Sequence, residues 1–401
     1  MNNFGFWEKL KKPIFALAPM ANITDCAFRQ IIAKYGKPNV FYTEFVSADG
    51  LAHPVAQEKL LVDLKYGENE HPIVAQIFGG KSENIKIASA LCKELGFDGI
   101  DINMGCPDRS VEKQCAGAAM MKNPKLAREV IRAAKEGASG LPISVKTRIG
   151  YNPPPPKGFG RAGKNDYLLD KEWIKTLLEE DLAALIIHLR TRKEMSDAPA
   201  HWELMPRIVA IRNEMSKKTL ILGNGDAVDT DDARKKCKKY GCDGVMLGRA
   251  IFGNPWLFAN LARVKHDCQI EHPVSDSLVK KSQILNKFKK IFSLATQSRN
   301  SAERSECVAV SKKSESGAGI SIQKKLSVMV EHTKLFEKMF VSNPLRQGSG
   351  RPSKNFAVMK KHYKAYVNGF NGAKELRIKL MEADNAEQVE KITNDFLAKI
   401  E

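Results

Sequence analysis

Asp101-Ile102-Asn103-Met104-Gly105-Cys106-Pro107 reads as the end of a short buried strand that delivers one cysteine into a tight turn. Ile100 and Ile102 are β-branched and flanked by Gly99 and Gly105, as a short buried strand should be. Gly105 and Pro107 then turn the backbone, so Cys106 falls just past the strand's carboxyl end. In α/β proteins that end is where chemistry is done. By residue type alone Cys106 reads as a small buried hydrophobe rather than a reactive thiol. The rest of the chain decides between the two.

Working outward, seven more short apolar stretches occur at 14–18, 40–45, 73–77, 143–146, 184–188, 220–222 and 244–247. Between them lie charged amphipathic stretches such as 82–95, 124–136, 171–180 and 230–240. Asp229 or Thr230 can cap the last of these, with Asp231 and Asp232 in its first turn. Eight strands alternating with helices predict a closed (β/α)8 TIM barrel, an α/β fold. A doubly wound sheet would want Gly-x-Gly-x-x-Gly after the first strand, and none occurs there.

The chain has 401 residues, with 43% hydrophobic and 7% aromatic content, an ordinary globular composition long enough for about two domains. No apolar run approaches the ~20 residues of a membrane span, and residues 1–12 lack the apolar core of a secretion signal. The eight cysteines include no Cys-x-x-Cys pair; Cys237 and Cys242 are the closest, four residues intervening. The reading is a cytoplasmic protein without a metal site.

Charge is uneven. Residues 279–401 hold 24 Lys/Arg against 12 Asp/Glu, most of the net +18. That imbalance suggests a catalytic body with a polyanion-binding appendage. The expected organisation is a barrel at 1–265, a linker at 266–325 and a smaller all-helical domain at 326–401. The linker contains a Ser/Lys/Gly-rich, loosely ordered insertion at 296–321. In the helical part Leu326, Val330, Leu335 and Met339 mark one face, and Met359, Tyr363, Tyr366 and Val367 another. The stretch 151–164, with four consecutive prolines, reads as a flap beside the barrel mouth.

A barrel would gather the residues at its strand ends around one mouth. They are Pro19, Met20 and Ala21; Gln76; Asn103 and Cys106; Lys146 and Arg148; His188 and Arg190; Asn224, Gly225 and Asp226; and Gly248 with Arg249. Each has a dull explanation singly, but cations, a histidine, amides and glycines together on one face are harder to dismiss. Barrels commonly bind phosphate between the loops after strands seven and eight, where glycine lets the backbone approach the anion. Gly225, Gly248 and Arg249 suit that task and predict a phosphorylated ligand.

Several of these segments resemble those of tRNA-dihydrouridine synthases in order and spacing. They are Ala18-Pro-Met-Ala-Asn-Ile-Thr-Asp25, Asn103-x-Gly-Cys-Pro107, Val145-Lys-Thr-Arg-Ile-Gly150, His188-x-Arg-Thr-Arg192, Asn224-Gly-Asp226 and Gly248-Arg249. The basic segment 362–377 resembles that family's C-terminal helical domain. The resemblance implies an FMN enzyme that reduces the C5–C6 double bond of particular tRNA uridines with NADPH. Hydride would go to C6, and Cys106 would be the general acid at C5. Implied FMN contacts are Pro19, Met20, Ala21, Gln76, Lys146, His188, Asn224, Gly225, Asp226, Gly248 and Arg249. Implied substrate contacts are Asn103, Arg148, Arg190 and Arg192, the target base being extruded from its stack. The helical domain would grip tRNA by its phosphates, with the chain a monomer.

Leu189 departs from the family's usual glycine, and 194–202, beside the implied substrate contacts, departs from its pattern. Two other readings remain at this point: an FMN barrel acting on a small molecule, and a silent flavin barrel retained as an RNA-binding factor. The first leaves the basic tail unexplained; the second leaves Cys106, Lys146 and His188 without work.

Overall fold

The computed structural model describes residues 4–151, 168–261, 319–341 and 354–400. Beyond Tyr151 the expected flap lies outside the described residues, as does the expected insertion from 296 to 318. The chain forms two compact units, and the described residues up to 261 and from 321 onward all belong to the first. Only Gly319 and Ile320 of the second unit, 264–320, are described.

The strands are β1 (Ile14–Leu17), β2 (Phe41–Tyr42), β3 (Val46–Ser47), β4 (Ile73–Phe78), β5 (Gly99–Met104), β6 (Ile143–Gly150), β7 (Ala184–Thr191), β8 (Leu220–Asn224) and β9 (Gly244–Leu247). They run β1-β9-β8-β7-β6-β5-β4-β2, with β3 also on β4, and every pairing is parallel. A bridge between Ala16 and Val40 closes the ring, the Leu17 amide donating to the Val40 carbonyl at 3.1 Å. The expected (β/α)8 barrel is therefore present.

One strand differs from the sequence reading. At the second barrel position, expected to be continuous over 40–45, only Phe41–Tyr42 forms a strand, and a second short strand follows at Val46–Ser47. Between them the chain still follows β4, the Thr43 amide donating to the Val74 carbonyl and Thr43 Oγ1 accepting from the Gln76 amide, both at 3.0 Å, while Glu44 takes up the Asn22 amide and the Lys354 ammonium.

Helices cover the barrel through ordinary local chemistry. Asp25 caps Cys26–Tyr35 by accepting from the Phe28 amide, Asn123 caps Pro124–Ala138, and Asp229 caps Thr230–Tyr240, which Gly241 ends in a left-handed conformation. The β4 and β5 strands are buried along their whole length, as a helix-covered parallel sheet requires. Inside, Ala16, Val74, Ile186, Leu222 and Met246 share a cluster with Phe4 and Trp7. These last two side chains close the amino-terminal end of the barrel and leave the carboxyl end for the site.

Four helices, Ile322–Phe336, Met359–Tyr366, Ala373–Glu382 and Ala386–Leu397, follow. They share one hydrophobic cluster with Cys26, Ala27 and Ile31 of the first barrel helix. The first begins at Ile322, where Ser321 Oγ accepts from the Lys324 amide, a turn earlier than the apolar pattern suggests. Its buried stripe also differs: Met329, Phe336 and Phe340 are buried, whereas Leu335 and Met339 are only partly so. The shift follows from cover on more than one side, by the barrel helix and by the last helix. No helix among the described residues is long and apolar enough to cross a membrane.

Candidate active site

A cleft of about 240 Å³ opens at the carboxyl ends of the strands. Pro19 and Met20 line it after β1, Lys146 on β6, His188 and Arg190 on β7, Asn224-Gly225-Asp226 at β8, and Gly248-Arg249 after β9. Its charged lining is Lys146, Arg190, Arg249 and a single carboxylate, Asp226. Three cations against one anion leave about two positive charges to be met by a ligand. Gly225 has φ +127°, a conformation that suits glycine. A side chain on Gly248 would meet only Ala18 Cβ at 3.5 Å and Met20 Sδ at 3.8 Å, so the backbone there faces open space. The turn after Gly248 is one 3₁₀ turn, Arg249–Ile251, rather than a long helix.

The polar groups of the cleft fix one another. Arg190 Nη2 donates to both Asp226 oxygens, at 2.8 and 2.6 Å, and Arg249 Nη2 donates to Asp226 Oδ1 at 2.6 Å. Burial works against the Asp226 anion, but the Arg190 bonds outweigh it and hold the carboxyl below its usual range. Arg190 Nη1 lies 3.1 Å from His188 Nε2. Guanidinium can only donate, so Nε2 accepts and the neutral imidazole carries its proton on Nδ1. Burial, then the charges of Lys146, Arg148, Arg190 and Arg249, push His188 well below its ordinary pKa. Lys146 falls to about 8 because its ammonium is desolvated, with Arg148 adding repulsion. At neutral pH the cleft thus holds a charged lysine beside an uncharged histidine.

Cys106 stands on the turn after β5. Asn103 Oδ1 accepts from the amides of Gly105 and Cys106 at 3.1 and 2.9 Å, so one side chain shapes the turn. The Cys106 carbonyl accepts from the Ala118 amide at 2.9 Å. The half-buried thiol packs with Phe78, Val111 and Ala116. Burial pushes its pKa above 9.0, the Asp108 backbone bond and nearby Lys146 and Arg148 opposing only in part. The thiol therefore keeps its proton at neutral pH.

The other expected site residues fall in three settings. Gln76, Asn103 and Arg148 are buried next to the Cys106 turn. Arg148 gives Nε to the Gly105 carbonyl at 2.8 Å and Nη1 to those of Thr191 and Met195 at 3.0 and 2.9 Å. Arg192 pairs with Glu112, reaches the Pro107 carbonyl at 3.2 Å and stacks on Tyr151 at 5.6 Å. Ala21 is exposed on the β1 turn, outside the cleft lining. Ser196, Asp101, Gly117 and Trp202 escaped sequence reasoning. Ser196 lines the cleft, and the Trp202 indole donates to the Gly225 carbonyl at 2.8 Å. Asp101 carried a signal that was available: a carboxylate in the middle of a strand buried on both faces.

Comparison with known proteins bears on this geometry. The family model described as dihydrouridine synthase matches residues 16–315. A probable tRNA-dihydrouridine synthase of Staphylococcus aureus strain Mu50 is 34% identical over 99% of this chain and 97% of its own length. A probable tRNA-dihydrouridine synthase 2 of Bacillus subtilis strain 168 is 44% identical over 63% of this chain and 73% of its own length. With a barrel, a cation-rich cleft and a cysteine turn in the matched region, the chain belongs to the dihydrouridine synthase family.

Proposed function

We propose that this chain is a tRNA-dihydrouridine synthase that uses FMN and NADPH to reduce the C5–C6 double bond of particular uridines. The observation that carries the reading is the cleft itself. Three cations, one carboxylate, the positive-φ Gly225 and the open backbone at Gly248 suit a phosphate monoester, whose dianion matches the spare charge. Gly225, Gly248 and Arg249 would hold that phosphate. Pro19, Met20, Gln76, Lys146, His188 and Asn224 would contact the rest of the cofactor, with Ala21 at the edge of the turn. Bound FMN would supply the hydride that reaches C6 of the uracil.

The chain's own residues do the remaining work. The Cys106 thiol, protonated at neutral pH and walled by apolar side chains, is set to give its proton to C5. Lys146 offers positive charge where electron density accumulates, and His188 offers the Nδ1–H of a neutral ring. Asn103 shapes the acid's turn, and Arg148 ties that turn to the end of β7. Because Arg148 and Arg190 are buried and bonded internally, their contribution to substrate binding is to order the mouth. Arg192, held by Glu112 beside Tyr151, is the arginine placed to meet a flipped base or phosphate. The basic C-terminal helices would grip the tRNA backbone.

The test uses tRNA lacking dihydrouridine, with purified protein, FMN and NADPH. Nucleoside mass spectrometry should record dihydrouridine from the natural protein. Cys106→Ala should bind FMN normally yet form product at least about 100-fold more slowly, the span of a lost general acid. Full activity in the variant would remove Cys106 as the acid. Protein that neither carries nor takes up flavin would overturn the whole reading.

A further inference from the structure

Gln76, Asp101 and Ser144 are neighbours in register across β4, β5 and β6, and Asn103 sits opposite Lys146 two residues further along. Barrel layers are usually filled by branched apolar side chains. Here a polar layer lies beneath the cleft, with Asp101 and Gln76 fully buried and Ser144 and Asn103 nearly so. Such a layer persists only if every member is bonded.

The bonds run in one direction. Asp101 Oδ1 accepts from Ser144 Oγ at 2.6 Å and Oδ2 accepts from Gln76 Nε2 at 2.7 Å. Gln76 Oε1 is thereby left to accept from Asn103 Nδ2 at 3.1 Å. Asn103 Oδ1 in turn faces the Gly105 and Cys106 amides. An ionised carboxylate accepts only, whereas a side-chain amide can face either way. Reversing Gln76 would set two acceptors together at Asp101, and reversing Asn103 would set two donors together at the cysteine turn.

We propose that Asp101 is a positioning residue whose carboxylate fixes the sense of the Gln76 and Asn103 amides and so holds the Cys106 turn in its working geometry. Burial raises the Asp101 carboxyl to about 6, against its bonds to Ser144 and Gln76 and the attraction of Lys146. It is therefore mainly an anion at neutral pH and a pure acceptor. The inference concerns how Cys106 is held; its catalytic consequence rests on the function proposed above.

The test compares Asp101→Leu, which removes the acceptor at similar size, with Asp101→Asn. In the latter the amide nitrogen can donate to Ser144 Oγ, leaving an oxygen for Gln76. Alkylation of Cys106 by iodoacetamide is followed by peptide mass spectrometry, with FMN-loaded protein at several pH values. Asp101→Leu should alkylate Cys106 about tenfold faster, the scale of one lost buried hydrogen bond, and Asp101→Asn should restore the natural rate. In stopped flow, tRNA-dependent flavin reoxidation should slow by a similar factor in Asp101→Leu, while flavin reduction by NADPH stays within about threefold. Should Asp101→Leu not fold, Asp101→Asn with Ser144→Ala replaces it. There the amide loses its anchor, and Cys106 should alkylate faster than in Asp101→Asn alone. Equal alkylation across all variants overturns the inference. An absence of tRNA reduction with the alkylation ranking intact overturns only the proposed function.

Discussion

At the residue scale, the cleft works through one desolvating, cationic environment acting on two bases of different intrinsic strength. Lys146 and His188 are both desolvated, but the lysine starts from a pKa of 10.5 and still stands at about 8, whereas the histidine is already neutral. Charge in the cleft therefore switches with Lys146 alone near physiological pH. Lysine with a lowered pKa is charged below it and neutral above it, so affinity for an anionic ligand should fall as pH rises through about 8. Titration of the natural protein with FMN by fluorescence quenching between pH 6.5 and 9.5 checks this. Lys146→Met should bind about tenfold more weakly at neutral pH and lose the inflection, as one buried charged contact predicts. An inflection that persists in the variant would assign the titration to another group. Cys106, Lys146 and His188 were legible in the sequence because strand-end positions converge in a barrel. The Arg190–Asp226 pairing was not, since a cation and a carboxylate at two strand ends fit a ligand as well as each other until the β7 and β8 ends are placed side by side.

At the element scale, the segment after β5 is a loop closed on itself. The Cys106 carbonyl is the point it folds around, and Gly117 is the residue that permits this. It has φ +60°, and a Cβ there would lie 2.6 Å from the Cys106 carbonyl oxygen and 2.8 Å from Val111 Cγ1. Gly117→Ala should therefore cost about 1–3 kcal/mol, combining left-handed strain with the clash. Thermal denaturation should place its midpoint several degrees below that of the natural protein. An unchanged midpoint would mean that the loop adjusts freely and does not constrain Cys106. The sequence announced this turn through Gly105 and Pro107 but not its closure, because the closing bond joins Ala118 to Cys106, twelve positions apart in irregular backbone. The same reason hid the break between β2 and β3. Its partner Lys354 lies 310 residues beyond Glu44, where no local pattern can signal it.

At the scale of the whole molecule, the basic tail from Ser321 onward is part of the barrel's own unit. Its helices bury Phe28 of the first barrel helix against His332 and His362, with ring centroids 5.3 and 4.8 Å away. The two imidazoles lie 4.6 Å apart, and both His332 nitrogens and His362 Nε2 lack hydrogen-bond partners. Around them stand the Phe28 and Tyr366 rings, while Lys361 is the charge felt by His362. Periodicity revealed the tail's helices, but a histidine in an apolar stripe gives no sign that it will be sealed next to another. Burial pushes His362 down to about 3 and His332 well below its ordinary value. The folded state thus refuses protons that the unfolded chain binds near 6.5, so stability is full above that pH and is lost as pH falls below it. The loss should approach about 1.4 kcal/mol per pH unit for each imidazole. Urea unfolding at pH 7, 6 and 5, followed by tryptophan fluorescence, measures it. The natural protein's midpoint should fall across this range, and His362→Phe, which keeps an aromatic ring in the cluster, should fall less steeply. Parallel decline of the two proteins would show that acid acts elsewhere than at the seam joining the tail to the barrel.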